Sequence, residues 1–202
     1  MSLNGEQLGF YYRKDNWVFK NVTISVAPGE ILGLSGYSGC GKTTLSRILA
    51  GYLSPREGKV IVDGCPFQNR NFRPVQLIYQ HPEKAIDPKW RMREVLTESY
   101  MPPPQEILDA FEIRDEWMNR RSIELSGGEL QRFCIVRALN PATKYLIADE
   151  MTTMLDAITQ AKIWHSLLKI CQDRKIGLIM VSHDKSLLHR ICDRIYEVGQ
   201  CN

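Results

Sequence analysis

A glycine-rich stretch of the chain reads GYSGCGKTT, with Gly36 followed after four residues by Gly41-Lys42-Thr43. Glycines in such a stretch let backbone N–H groups turn toward a phosphate where a side chain would collide with it. Lys42 is predicted to reach the β- and γ-phosphates of a nucleoside triphosphate, and the Thr43 hydroxyl to ligate Mg²⁺. The residues predicted to bind nucleotide here are consecutive: Gly36, Tyr37, Ser38, Gly39, Cys40, Gly41, Lys42, Thr43 and Thr44.

The elements around this stretch fit phosphate binding. Glu30–Leu34 (EILGL) is an apolar run of strand length, and apolar residues recur at helical spacing after the loop until Pro55. The N-terminus of that helix adds partial positive charge at the phosphates. A glycine-rich turn that happens to precede a helix is the weaker alternative, because the Lys-Thr pair and both flanks fit. Cys40 is read as a small filler rather than a reactive thiol, since no base or second cysteine stands beside it.

Two carboxylates follow a second apolar run, Tyr145–Ala148, in the sequence KYLIADE. Asp149, at the carboxyl end of the predicted strand, is positioned to hold Mg²⁺ through water. Glu150 is positioned to polarise the water that attacks the γ-phosphate. An apolar run before Asp-Glu is by itself usually a strand that meets a solvated loop, but downstream of a phosphate loop it predicts a magnesium site.

Two further polar residues follow apolar runs. His183 comes after Leu178–Val181, and Gln80 comes after Leu77–Tyr79. If these strands share a sheet with the phosphate loop, both side chains face the same crevice, where Gln80 could reach the metal or the attacking water. A single histidine after a strand is more often structural than catalytic, so neither residue decides the assignment alone.

Taken in order, these motifs resemble the nucleotide-binding domain of ABC ATPases. The most specific element is LSGGE at residues 125–129, followed by Leu-Gln-Arg, and the resemblance covers nearly the whole chain. It implies an ATP hydrolase with ATP and Mg²⁺ as cofactors, in which Glu150, His183 and Gln80 are catalytic. It also implies that Gln80 links the nucleotide to a transport partner, and that Thr43, Gln80 and Asp149 surround the metal.

The resemblance implies further nucleotide contacts. Tyr12 matches the aromatic residue that stacks on adenine, with Tyr11 and Trp17 as rivals and ordinary core packing as the alternative. Asp156 in TTMLD matches the aspartate that crosses a dimer interface. The signature residues match those that cap the γ-phosphate of the opposite subunit's ATP: Ser126, Gly127, Gly128 and Glu129.

Local physics also indicates a second subunit. Ser126 and the amides of Gly127 and Gly128 are predicted to cap a helix that begins near Glu129, which makes a second anion-binding helix terminus. One chain has only one phosphate loop, so this terminus has no ligand of its own. Two chains facing head to tail would enclose two ATP molecules, each between the loop of one chain and the signature of the other.

Two residues depart from the family pattern. Met151 stands where the family usually has proline after the glutamate, and Met154 where it usually has a small residue. Methionine is flexible and fits irregular gaps. Hydrolysis therefore remains the expectation, while the packing of the interface loop is expected to differ from that of the family.

The predicted fold class is α/β: a P-loop NTPase (RecA-like) core with a mainly parallel sheet, an N-terminal antiparallel β subdomain and an inserted α-helical subdomain. We expect a single domain, with residues 1–80 and 135–202 forming the core and the β subdomain, and residues 81–134 the helical subdomain with the signature. Alternation between residues 7 and 29 and a hairpin turn at Asp63-Gly64 predict the antiparallel part. Prolines and helical stretches such as Gln105–Phe111 mark the insert.

Composition narrows the class of protein. The chain has 202 residues, of which 44% are hydrophobic, and a net charge of +3, which is too mild to indicate nucleic acid as a partner. Its six cysteines, at 40, 65, 134, 171, 192 and 201, form no CxxC pair and are expected to be reduced thiols. The sequence predicts neither a signal peptide nor a membrane span. We therefore expect a protein that is soluble when isolated and that cannot form a pore itself.

The segment LIYQHPEKAIDPKWRMREVL resembles the ATPases of oligopeptide, dipeptide and nickel importers. This implies a subunit on the cytoplasmic face of the membrane that powers a separate permease, pairs with a second ATPase subunit (homodimer or heterodimer), and makes no contact with peptide or nickel-chelate cargo. Trp90 and its apolar neighbours in residues 86–95 are candidate permease contacts, with inward packing as the alternative. The runner-up function is a non-transport ABC ATPase such as a carbon–phosphorus lyase accessory protein, and a small-molecule kinase would not explain LSGGE.

Overall fold

Two β-sheets form the framework of the computed structural model, which describes residues 1–14, 16–66, 73–98 and 102–199. Cys201 lies outside these residues. The strands of the described part are, in chain order, β1 (Leu3–Arg13), β2 (Asn16–Val26), β3 (Ile31–Ser35), β4 (Glu57–Val62), β5 (Cys65–Pro66), β6 (Val75–Ile78), β7 (Tyr145–Asp149), β8 (Gly177–Val181) and β9 (Arg194–Glu197). Within the same residues, no helix is both long enough and apolar enough to cross a bilayer.

The central sheet is parallel, with strand order β6-β7-β8-β3-β9. Successive residues of a strand point to opposite faces, so a strand covered on both sides divides its side chains between two cores. In β7, Leu146 and Ala148 belong to one buried cluster, and Tyr145 and Ile147 to the other. Because the strands are parallel, the segments after β3, β6, β7 and β8 all leave the sheet at one edge.

The second sheet is antiparallel and packs over one of these two cores, with strand order β2-β1-β4-β5. The turn between β4 and β5 is the predicted hairpin turn: Asp63 and Gly64 have φ angles of 53° and 83°. Positive φ at both central residues matches the right-handed twist of the flanking strands. The predicted α/β fold class, with its parallel core and N-terminal antiparallel sheet, is confirmed.

The helices of the described residues are α1 (Lys42–Leu49), α2 (Met92–Thr97), α3 (Gln105–Ala110), α4 (Gly127–Ala138), α5 (Ala157–Asp173) and α6 (Lys185–Ile191). Short 3₁₀ turns lie at Pro82–Lys84, Asp115–Trp117 and Ser122–Glu124. Between β6 and β7 the described residues thus carry helices and turns, as an inserted helical segment requires. The boundaries of residues 81–134 for this subdomain stay a prediction.

Apolar residues of the insert pack inward. Ile86, Met92 and Val95 are buried in the cluster that also contains one face of the parallel sheet, and Trp90 is half-buried against it. The alternative of inward packing is therefore correct for the first three, which cannot offer a free surface to a permease.

Some element boundaries differ from prediction by one or two residues. β3 runs from Ile31 to Ser35, and β6 ends at Ile78, so Gln80 lies beyond the strand in the connecting segment. Helix α4 begins at Gly127 rather than near Glu129, because Ser126 is the N-cap and the two glycines occupy the first helical positions.

Candidate functional site

A cleft of about 460 Å³ opens at the edge where the parallel strands end. It brings together residues that the sequence places in five separate segments. Its lining consists of Tyr12, Val18, Ser38, Gly39, Gly41, Lys42, Thr43, Thr44, Gln80, Glu150 and His183. Gly36, Tyr37 and Cys40 belong to the same loop without lining the cleft. Asp149 lines an adjoining cleft of about 380 Å³ that shares Thr43 and Gln80 with the first.

The loop after β3 needs glycine at defined positions. Gly41 is the N-cap of α1 in the left-handed conformation, with φ 98°, and a Cβ there would lie 2.5 Å from Val18 Cγ1. Gly36 has φ 153°, and a Cβ there would lie 2.6 Å from Cys40 Sγ. The buried Cys40 therefore fills the space behind Gly36, in agreement with its reading as a small filler.

Lys42 is buried at the start of α1, a helix whose N-terminus opens into the cleft. Its Nζ atom donates to the carbonyl oxygens of Gly36 at 2.8 Å and Tyr37 at 3.0 Å. The ammonium is thus held over the loop by carbonyl dipoles. A triphosphate in the loop would offer it stronger, charge-assisted acceptors.

Tyr12 fits the role of an aromatic nucleotide contact better than its two rivals. Its side chain is 59% exposed, lines the cleft and shares a hydrogen bond of 3.0 Å between its hydroxyl and Thr44 Oγ1. Tyr11 and Trp17 instead pack against each other, with ring centroids 4.9 Å apart, and neither lines the cleft. Among the three aromatic residues, only Tyr12 has a face available beside the phosphate loop.

Asp149 and Thr43 fit a magnesium ion. Asp149 is buried at the end of β7, and its Oδ1 atom has no hydrogen-bond partner in the structure. Burial raises the pKa of Asp149, the neighbouring Glu150 carboxylate adds to the rise, and a hydrogen bond with the Thr43 hydroxyl opposes it. A buried carboxylate beside a hydroxyl is the oxygen-rich donor set that Mg²⁺ takes when it also binds phosphates.

The carboxylate of Glu150 is held from both sides. Its Oε1 atom lies 2.6 Å from His183 Nε2, and its Oε2 atom accepts from Gln80 Nε2 at 3.2 Å. The backbone of Glu150 is left-handed, with φ 51°, and its N–H donates to Val181 O at 3.2 Å. Left-handed backbone at a residue other than glycine persists only where surrounding contacts enforce it. The three residues predicted to be catalytic therefore form one hydrogen-bonded group inside the cleft.

The signature segment lies elsewhere: none of its residues lines the nucleotide cleft. Ser126 caps α4 through a reciprocal pair, in which its Oγ accepts from Glu129 N at 3.3 Å and its N–H donates to Glu129 Oε2 at 2.7 Å. Ser126 and Gly127 are exposed, and a Cβ on Gly127 would meet nothing within 4 Å. The helix terminus is thus open to solvent.

Asp156 is also outside the cleft. It is the N-cap of α5, and its Oδ1 atom accepts from the N–H groups of Ile158 at 3.1 Å and Thr159 at 3.0 Å. A hydrogen bond with the Thr159 side chain, followed by those with the two backbone N–H groups, lowers the pKa of the exposed Asp156 carboxyl. The loop that leads to Asp156 touches the signature, because a Cβ on Gly128 would lie 2.9 Å from Leu155 Cδ2.

Sequence reasoning missed two residues of the site. Val18 lines the cleft from β2 and closes on Gly41, a contact between segments that no local pattern reports. Thr153 accepts from Gln80 Nε2 at 3.5 Å and donates from its own hydroxyl to Glu150 O at 3.1 Å. A hydroxyl three residues after the carboxylate was the only available signal for this second contact.

A parallel sheet with a glycine-rich loop, a buried lysine and a paired carboxylate at one edge defines a P-loop nucleotide hydrolase. The comparisons with known proteins narrow this class. The ABC transporter family matches residues 19–153. The nickel import ATP-binding protein NikE of Escherichia coli (strain K12) is 34% identical over 196 residues, which cover 88% of this chain and 73% of that protein. NikE of Shigella sonnei (strain Ss046) matches to the same extent.

Solved structures agree with the sequence matches. The dimeric post-hydrolysis state of the ATP-binding cassette MJ0796, bound to ADP and Pi, superimposes with a TM-score of 0.84 at 25% identity, covering 99% of this chain and 96% of that one. A putative ABC transporter ATP-binding protein from Pyrococcus furiosus shares the fold, with a TM-score of 0.79 at 22% identity and 98% coverage of each chain. The chain belongs to the ABC transporter family and is an ATP-binding ABC-type ATPase.

Proposed function

We propose that this chain binds MgATP in its own cleft, completes the site with the signature of a second ABC ATPase chain, and thereby powers a separate permease. The observation that supports this most strongly is the separation of the two anion-binding helix termini. One lies in the cleft at the start of α1, and the other is exposed at the start of α4. Only a second molecule could place the exposed terminus against a nucleotide bound in the cleft.

Different residues of the cleft bind the phosphates, the adenine and the metal. The loop amides and the Lys42 ammonium bind the phosphates, the Tyr12 ring packs on the adenine, and the Thr43 and Asp149 oxygens hold Mg²⁺. When bound, the metal neutralises charge on the phosphates. Glu150 orients and deprotonates the attacking water, while His183 and Gln80 keep its carboxylate aimed at the cleft.

Exposed apolar side chains support association of two chains on the signature side. Ile123, two residues before the signature begins at Leu125, is 78% exposed. Met154 and Ile158, which stand on either side of Asp156 in the chain, are 61% and 73% exposed. Large apolar side chains concentrated beside an open helix terminus are typical of a surface that a partner covers. Met154 stands where the family usually has a small residue, so the partner surface it meets must accommodate a long side chain.

The adjoining cleft is the proposed permease contact. It is lined on one side by Tyr52 and Leu53 after α1, and on the other by Lys84 in the insert. Gln80 borders both this cleft and the nucleotide cleft, so a helix seated here would respond to the position of Gln80. This attachment would keep the subunit at the cytoplasmic face of the membrane.

The cargo is proposed to be a peptide or a metal chelate such as nickel. The relatives at 34% identity are named nickel import proteins, which favours import over the non-transport alternative. Because the permease forms the pathway in this proposal, the cargo makes no contact with the chain.

Gel filtration of Glu150→Gln with and without MgATP tests the composite site. The amide cannot deprotonate water, whereas Asp149 still holds the metal, so ATP stays bound and the two-chain complex is expected to persist. A mass that remains that of one chain at high protein and nucleotide concentrations would count against a homodimer. The same experiment with a related ATPase subunit added would then show whether the partner is a different chain.

A further inference from the structure

The loop between Glu150 and Asp156 is anchored by two side chains of α5. Trp164 Nε1 donates to Thr152 Oγ1 at 3.2 Å, and both residues are buried. Gln160 Nε2 donates to the carbonyl oxygens of Thr152 at 2.7 Å and Leu155 at 3.1 Å. The hydrogen bond between the buried Trp164 and Thr152 has no water to replace it, and the partly buried bonds of Gln160 add to its hold on the loop.

The anchored residue is close to the catalytic carboxylate in the chain. The next residue, Thr153, donates both its N–H at 3.3 Å and its hydroxyl at 3.1 Å to the carbonyl oxygen of Glu150. Glu150 has a left-handed backbone, which must be enforced by its surroundings. The indole of Trp164 is therefore hydrogen-bonded to Thr152, and Thr153, the next residue in the chain, is hydrogen-bonded to the backbone of Glu150.

The residue at position 151 explains why the loop depends on these hydrogen bonds from α5. A proline at position 151 would fix the backbone φ immediately after Glu150. Met151 has no such constraint, and its buried side chain packs by adaptable apolar contact only. The restraint that a proline ring would provide from within the loop must here come from outside it.

We propose that Trp164 is a positioning residue for hydrolysis: through its hydrogen bond to Thr152 it holds the loop so that the Glu150 carboxylate stays aimed at the nucleotide cleft. This inference rests on the proposed role of Glu150 as the base. It predicts a residue whose loss lowers turnover without weakening nucleotide binding, because Trp164 and Thr152 do not line the cleft.

The test compares three variants of the intact chain within its ATP-hydrolysing assembly: Trp164→Phe, Thr152→Val and Thr152→Ser. Trp164→Phe removes the N–H donor and keeps an aromatic ring. Trp164→Phe and Thr152→Val are each expected to lower kcat about fivefold, the effect of one lost buried hydrogen bond, with KM and nucleotide affinity unchanged. Thr152→Ser keeps the hydroxyl and should retain most of the activity. The double variant Trp164→Phe/Thr152→Val should be no slower than either single variant, since both remove the same bond.

Two reference variants separate the possible outcomes. Trp117→Phe makes the same ring change at a buried tryptophan of the insert and should leave kcat unchanged. If Trp164→Phe and Thr152→Val hydrolyse ATP like the wild type, or if KM rises in parallel with the loss of kcat, the positioning role is wrong. If Glu150→Gln in the same assay keeps wild-type turnover, the proposed function itself fails, and the positioning role fails with it.

Discussion

The phosphate loop and the signature segment are both helix N-termini built to bind anions, but they differ in how the rest of the chain surrounds them. At the start of α1, the buried Lys42 and the Glu150–His183 pair line one cleft, and the Asp149 carboxylate lines the cleft that adjoins it. At the start of α4, Ser126 forms reciprocal hydrogen bonds with Glu129 and faces solvent.

This difference shows where the function of the chain is incomplete. The first terminus has carboxylates, a histidine and a hydroxyl beside it, so we infer that nucleotide binding and the chemical step take place there. The second has backbone amides, no reactive group and exposed apolar neighbours, which is the composition of a surface that completes another molecule's site. Substitutions on the two sides should therefore have different signatures.

The largest effect is expected for Glu150→Gln on the cleft side. Loss of a general base lowers turnover by roughly 10²- to 10⁴-fold, while ATP affinity should be retained or increased. Phosphate release at saturating MgATP measures the change. Glu116→Gln, at an exposed carboxylate of the insert, is the matched control and should behave as the wild type. Turnover of Glu150→Gln within a factor of two of the wild type would contradict the claim that the general base lies beside the helix terminus at α1.

Lys42→Ala should produce the next largest effect and should change binding. One charge-assisted hydrogen bond to phosphate is lost, so nucleotide affinity is expected to fall about 10- to 100-fold. Titration of a fluorescent ATP analogue into the isolated chain measures it, with Lys59→Ala, at an exposed lysine of β4, as control. Unchanged affinity would mean that the Lys42 ammonium stays hydrogen-bonded to the carbonyl oxygens of Gly36 and Tyr37 when nucleotide is present and does not contact phosphate.

The sequence predicted the local motifs of the two termini better than the contacts between distant segments. Gly36–Thr44 and Ser126–Glu129 are local motifs whose backbone geometry depends on adjacent residues, and each leads into a helix in the structure. The pairing of Glu150 with His183 depended on β7 and β8 being neighbours, which parallel strand order made a reasonable inference. Val18 and Trp164 were not foreseen, because each acts through a contact with a distant segment and follows no motif.

A smaller, pH-dependent effect is expected for Asp149→Asn. Burial raises the pKa of Asp149 above its value in the unfolded chain, so ionisation costs stability once the pH exceeds the unfolded value of about 3.9. Asparagine does not ionise, and the nucleotide-free variant should therefore unfold at a higher temperature than the wild type at pH 7. The difference in unfolding temperature between the variant and the wild type should narrow as the pH falls toward 4, and thermal unfolding at several pH values measures it.

Asp63→Asn is the control, because its expected change in unfolding temperature at pH 7 has the opposite sign. Burial alone would raise the pKa of Asp63, but hydrogen bonds from Lys144 and Tyr145 outweigh it and lower the pKa. Stability from this carboxylate is present at pH 7 and is lost as the pH falls through its folded pKa, so Asp63→Asn should lower the unfolding temperature at pH 7. Equal shifts of the same sign in both variants would contradict the assignment of Asp149 as a buried carboxylate whose ionisation destabilises the nucleotide-free chain.

The most direct measurement of the composite site is made on Ser126→Arg, assayed for both nucleotide binding and hydrolysis. Ser126 lies outside the cleft, so the isolated chain should bind ATP with wild-type affinity. An arginine at the open terminus of α4 would obstruct the partner's γ-phosphate site, so hydrolysis should be abolished. A Ser126→Arg chain that binds ATP normally and still turns it over at the wild-type rate would contradict the claim that each site needs the signature of a second chain.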